Sequence, residues 1–81
     1  MGTITITASI PYGATLRVGY RVTNSGNNFT YVNPFPTFND LPYTFSVPDT
    51  AGTYDVELTV ICPNCSLGTY STPVVITATP T

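Results

Sequence analysis

Apolar and polar residues alternate one by one along most of this chain. A period of two belongs to a strand with one dry and one wet face. Residues 3–10, TITITASI, put Ile4, Ile6, Ala8 and Ile10 on one face and Thr3, Thr5, Thr7 and Ser9 on the other. Residues 15–23 repeat the pattern, with Leu16, Val18, Tyr20 and Val22 inward and Arg17, Gly19 and Arg21 outward. A short strand is expected over 29–33. Residues 43–47, YTFSV, turn Tyr43, Phe45 and Val47 inward. The clearest alternation, 53–62, buries Tyr54, Val56, Leu58, Val60 and Cys62 and exposes Asp55, Glu57, Thr59 and Ile61. A last strand over 69–78 gathers Tyr70, Thr72, Val74, Ile76 and Ala78 on one face. Nothing reads as helix.

Turn chemistry separates these segments. Pro11-Tyr12-Gly13, Asn24 to Asn28 and Pro48 to Gly52 are breaks rich in Gly, Pro, Asn, Asp and Ser. The stretch NPFPTFNDLP, 33–42, holds three prolines and excludes a central strand there. Six short strands with one apolar face each predict an all-β fold, two sheets stacked on their dry sides as a small six- to seven-stranded sandwich. With 81 residues the chain is one domain, 1–81.

The second half resembles the end of a fibronectin type III-like or immunoglobulin-like domain. AGTYDVELTV, 51–60, is similar to a strand F with Tyr54 as its tyrosine corner. STPVVITATPT, 71–81, resembles a strand G. Gly13-Ala14 followed by LRVGYRV resembles a B–C turn and strand C. The tryptophan of the family's strand B is absent, and Ala8 falls near its place. If 3–10 is strand B, no strand A precedes it and one sheet edge stands uncovered; in the alternative register 3–10 is strand A.

Charge changes the picture more than size does. Only 7% of residues are charged, with two arginines, four acids, no lysine and no histidine. Nucleic-acid binding is excluded as an expectation, because nothing can neutralise several phosphates. So sparse a surface suits packing within an assembly, or a secreted module solubilised by hydroxyls. The start shows no secretion signal, and no apolar run reaches the roughly 20 residues that span a bilayer. The chain is therefore expected to act where it is made or to be a module of something larger, with no membrane partner.

The candidate chemistry is thin. Cys62-Pro63-Asn64-Cys65 has the spacing of a redox or half-metal motif. A redox centre needs a helix N-terminus to lower the thiol pKa, and structural zinc needs about four ligands. A hairpin turn carrying a local disulfide or two thiols is the expectation, with no metal and no cofactor. Without histidine the usual hydroxyl or thiol nucleophile has no common base, so no catalytic residue is assigned and the chain is expected not to be an enzyme. Arg17 and Arg21 are expected to pair with Asp55 and Glu57 across neighbouring strands. Tyr54, Cys62 and Cys65 are structural candidates.

Two surfaces are candidate interfaces. One is the proline-fixed loop with Pro34, Phe35, Pro36 and Phe38, which either lids the core or forms an aromatic patch. The other is the charge-free strand with Thr3, Thr5 and Thr7, whose edge nothing guards. The expected function is a non-catalytic structural or binding module. The leading expectation is a small bacteriophage virion protein that decorates the capsid and contacts other protein subunits. A phage tail component, or a carbohydrate-binding or spacer module of a secreted bacterial protein, is the alternative; there Tyr12, Tyr31, Phe35 and Phe38 would stack on sugars.

Overall fold

The computed structural model describes residues 1–62 and 73–81. Its strands are β1 (Gly2–Ile6), β2 (Thr15–Val22), β3 (Thr30–Tyr31), β4 (Tyr43–Val47), β5 (Tyr54–Ile61) and β6 (Val74–Ala78). They form two antiparallel sheets, a two-stranded β1-β4 and a four-stranded β3-β2-β5-β6. The all-β two-sheet architecture is the expected one. A single 3₁₀ turn, Phe38–Asp40, interrupts the 33–42 loop.

The two sheets meet on their apolar faces. Ile4 and Ile6 of β1 and Phe45 and Val47 of β4 pack against Leu16 and Val18 of β2 and Tyr54 and Val56 of β5. The Tyr20 ring bridges the layers, 5.5 Å from Phe45 and 6.1 Å from Tyr54. Thr3, Thr5 and Thr44 are outside, so the alternation reads true in the small sheet.

Several strand ends differ from the pattern. β1 ends at Ile6 rather than Ile10, because its last partner is Tyr43 and Pro42 precedes it. Proline has no N–H to extend the ladder. Ala8 and Ile10 still pack against the core, half-buried. The third strand is two residues, not five. The fifth loses a residue at each end and the last begins at Val74. Residues 69–72 of the expected last strand, with Cys65, lie outside the described residues.

Four burial assignments are corrected. Thr59 was expected outward and wet, yet it is buried on the outer face, where the Arg17 guanidinium reaches its hydroxyl. Val22, expected inward, is 48% exposed at the end of its strand. Val74 and Ile76 share the inner face with their cross-strand partners Leu58 and Val56, but are 55% and 40% exposed. Four strands face two, so the outermost strand of the larger sheet has little over it.

The loop 33–42 is not a free flap. Leu16 N–H donates to the Pro36 carbonyl and Phe38 N–H to the Ala14 carbonyl. Residues 36–38 therefore extend, beside the start of β2, the cover that β3 gives its middle.

Candidate functional site

β2 and β5 carry every arginine of the chain and two of its four acids, and their register brings these together. Arg21 stands directly opposite Asp55, and its Nε lies 3.3 Å from Oδ2. Arg17 reaches diagonally to Glu57, with Nη2 3.4 Å from Oε1. The expected pairing across β2 and β5 on the outer face of the larger sheet is thus present. The four side chains are 15–34% exposed. Pairs of that kind contribute about 0.2–1 kcal/mol, so they define register more than stability.

Aromatic rings from the edge strand lie over this charge row. Gly19 leaves a hole in the outer face, and the Tyr31 ring fills it: a Cβ on Gly19 would sit 2.7 Å from Tyr31 Cε1. From there the Tyr31 hydroxyl donates to Glu57 Oε1 at 3.0 Å. The Arg17 guanidinium lies 5.1 Å from the Tyr31 ring centroid, and that of Arg21 lies 4.3 Å from the Phe29 centroid. Such contacts are worth about 0.5–1 kcal/mol when exposed. The hydrogen bond to the Glu57 carboxylate, with burial and the charge of Glu57 adding to it, raises the Tyr31 pKa above 10.0. Among the described residues, Arg17 Nε is buried and finds no hydrogen-bond partner.

The candidate loop is braced from inside. Asp40 Oδ2 accepts from both the N–H and the hydroxyl of Thr37, at 2.9 and 3.0 Å. These two bonds hold the Asp40 carboxyl below its ordinary pKa. Pro36 is buried, Phe35 and Phe38 are half-buried, and Pro34 is exposed. The Phe38 ring packs against Tyr12 with centroids 4.6 Å apart at 48°. Tyr12 itself is 89% exposed, more than any aromatic in the loop. The four aromatics considered for sugar stacking do not make one platform. Tyr31 lies on Gly19, while Tyr12 and Phe38 form a tilted pair, and among the described residues no ring contact joins them.

Tyr54 is buried at the start of β5, and its hydroxyl accepts from the Asp49 N–H at 3.2 Å. That link ties the connection before β5 back onto the strand. Cys62 is buried and disulfide-bonded; the chain's other cysteine, Cys65, is outside the described residues. Among the described residues, no three His, Cys, Asp or Glu side chains stand close enough together to hold a metal.

An open cleft of about 280 Å³ lies where β2, β3 and the end of β4 converge, lined by residues including Tyr20, Arg21, Thr30, Asp49 and Tyr54. Its one base, Arg21, is already engaged by Asp55 and by the Asn27 carbonyl.

The strand edges remain. Among the described residues, β4 is the one strand that pairs with β1. On the other side Thr3 exchanges two backbone hydrogen bonds with the C-terminal residue, N–H to O and O to N–H, each 2.9 Å. Pro80 is buried against Gly2, where a Cβ would lie 2.8 Å from the proline Cβ. Gly2 thus lets the tail close onto β1. In an antiparallel ladder alternate residues point their amides the same way. Thr5 therefore aims its N–H and C=O along the same side as Thr3, and among the described residues no hydrogen bond engages them there. The sequence singles out this strand as an edge; it does not show that the C-terminal residue closes onto Thr3.

Comparison with protein-family models, curated proteins and solved structures finds no match for this chain.

Proposed function

We propose that the chain is a non-catalytic interaction module that docks on other protein subunits through the free side of β1. The observation that carries this reading is the unguarded edge beyond Thr3. It has no charge and no proline, and among the described residues the outward backbone groups of Thr5 pair with no strand. Natural edges are blunted by lysine, proline or a covering element, and an edge left flat invites another strand. Strand addition there gives affinity through main-chain hydrogen bonds, without any special side chain. The Tyr12–Phe38 pair and the exposed Pro34 offer a second, apolar contact.

The strand order favours a fibronectin type III-like layout. On that layout β1 and β4 would correspond to strands B and E, and β3, β2, β5 and β6 to C′, C, F and G. Among the described residues no strand A then lies beside β1, which leaves its edge free. Decoration of a bacteriophage capsid is the setting proposed for the module, by analogy with sandwich modules on phage particles and on the low charge of the surface. Burying such a surface desolvates few ions.

The test is occupancy on the native particle, read by electron microscopy. Thr5→Lys, which charges the edge, and the double variant Phe35→Ser with Phe38→Ser are expected to fold, with at least one of them failing to bind. Normal occupancy for both would remove β1 and the loop as the docking surfaces.

A further inference from the structure

The second free edge has a different chemistry. β6 is the outermost strand of the four-stranded sheet, and among the described residues no strand lies beyond it. Three consecutive apolar residues there are exposed: Val74 at 55%, Val75 at 52% and Ile76 at 40%. Val74 and Ile76 face inward beyond the reach of β1-β4, and Val75 faces out. Consecutive exposed apolar residues on a strand edge serve a function or cause aggregation. No charged residue occurs anywhere in 73–81.

We propose that β6 pairs with β6 of a second copy of this chain, antiparallel about a two-fold axis, joining two four-stranded sheets into one continuous sheet. The patch is suited to itself. A two-fold contact places a surface against its own image, so any charge in it would meet a like charge. This one carries none, and the nearest charges, Asp55 and Glu57 one strand inward, are already matched by Arg21 and Arg17. The register follows from the pleat. Residues directly opposite in an antiparallel pair lie on the same face. Centring the axis on Val75 sets Val75 against Val75 outside, and Val74 against Ile76 twice inside. All three exposed apolar residues then find apolar partners, whereas centring on Ile76 would oppose Val75 with Thr77 and Val74 with Ala78.

β6 offers five residues, against about 20–30 a side for a standard stable interface. The pairing is therefore concentration-dependent in free solution. It becomes effective where copies are already held close, since tethering raises the effective concentration. The inference stands on β6 alone and does not depend on docking through β1.

Sedimentation of the purified chain, taken up to its solubility limit, tests it. The average mass is expected to rise from the 8.7 kDa of one chain toward twice that value and no further. Val75→Lys sets two ammonium groups against each other across the axis and is expected to weaken association at least about tenfold. Should that variant not fold, the isosteric Val75→Thr keeps the strand and is expected to weaken association several-fold. Thr5→Lys, on β1, leaves the dimer unchanged. A chain that stays monomeric throughout, or association lost in Thr5→Lys and kept in both Val75 variants, overturns the proposal.

Discussion

The Tyr54 hydroxyl and the Asp49 N–H tie the β4–β5 connection to the first residue of β5 across 3.2 Å. Asp49 is exposed, so its N–H turns to water if the phenol is removed. Tyr54→Phe is therefore expected to cost only the net worth of one hydrogen bond, about 0.5–1.5 kcal/mol. Urea unfolding checks this as a lower midpoint at unchanged slope. Tyr31 gives a pH signature instead. Its pKa is raised in the folded chain because its proton is held by Glu57. For a raised pKa the stabilisation is complete below the unfolded value of 10.0 and is lost as pH climbs through the folded one. Ultraviolet titration is expected to find the Tyr31 phenol ionising above its ordinary value, and Glu57→Gln to bring it back toward that value. If Glu57→Gln leaves the tyrosine titration curve unchanged, the Tyr31–Glu57 bond is not formed.

At the scale of the element, β3 is the least secured strand. Two residues join it to β2, and the Tyr31 ring seated on Gly19 is its main anchor. Gly19→Ala would relieve about 0.5–1 kcal/mol of glycine's cost in a strand. It would also push a methyl group into the ring, and overpacking costs about 1–3 kcal/mol. The second effect is the larger, so a net loss of up to about 2 kcal/mol is expected, with faster hydrogen exchange at Val32, whose N–H bonds the Val18 carbonyl just beyond β3. A stabilised variant with unchanged exchange would show that the ring is not what holds β3. The same strand marks where the sequence stops being legible. Alternation is a local signal, and it placed β2, β4 and β5 within a residue or so of their ends, because their partners run the full length of each. It also placed the arginine–acid row, since strand faces and antiparallel order follow from the same period. Strand ends set by a neighbour were not visible. β1 stops where β4 runs into Pro42, and the exposure of Val74 and Ile76 depends on how many strands lie opposite. Nor could spacing show that Thr81 would close onto Thr3.

At the scale of the molecule, two strands face four among the described residues, and the core is concentrated under the two. Leu16, Val18 and Val56 are at most 1% exposed, while the apolar side chains of β6 are about half in water. A chain of 81 residues holds about 4–12 kcal/mol of net stability. Leu16→Ala removes a buried side chain at a cost of about 2–5 kcal/mol, a large share of that total. Ile76→Thr, on a half-solvated edge, should stay within about 0.5 kcal/mol. Thermal unfolding separates the two readily, because each kcal/mol moves the midpoint of so small a domain by about 4–8 °C. Leu16→Ala is expected to melt at least about 8 °C lower, and Ile76→Thr within a few degrees of the parent chain when both are measured dilute. The asymmetry bears directly on what β6 is for. Side chains half in water on both faces of an edge are the ones that the proposed pairing of two β6 strands would cover. Should Ile76→Thr instead melt as low as Leu16→Ala in dilute solution, the β6 face is already covered within the single chain, and neither the uneven core nor the pairing edge survives.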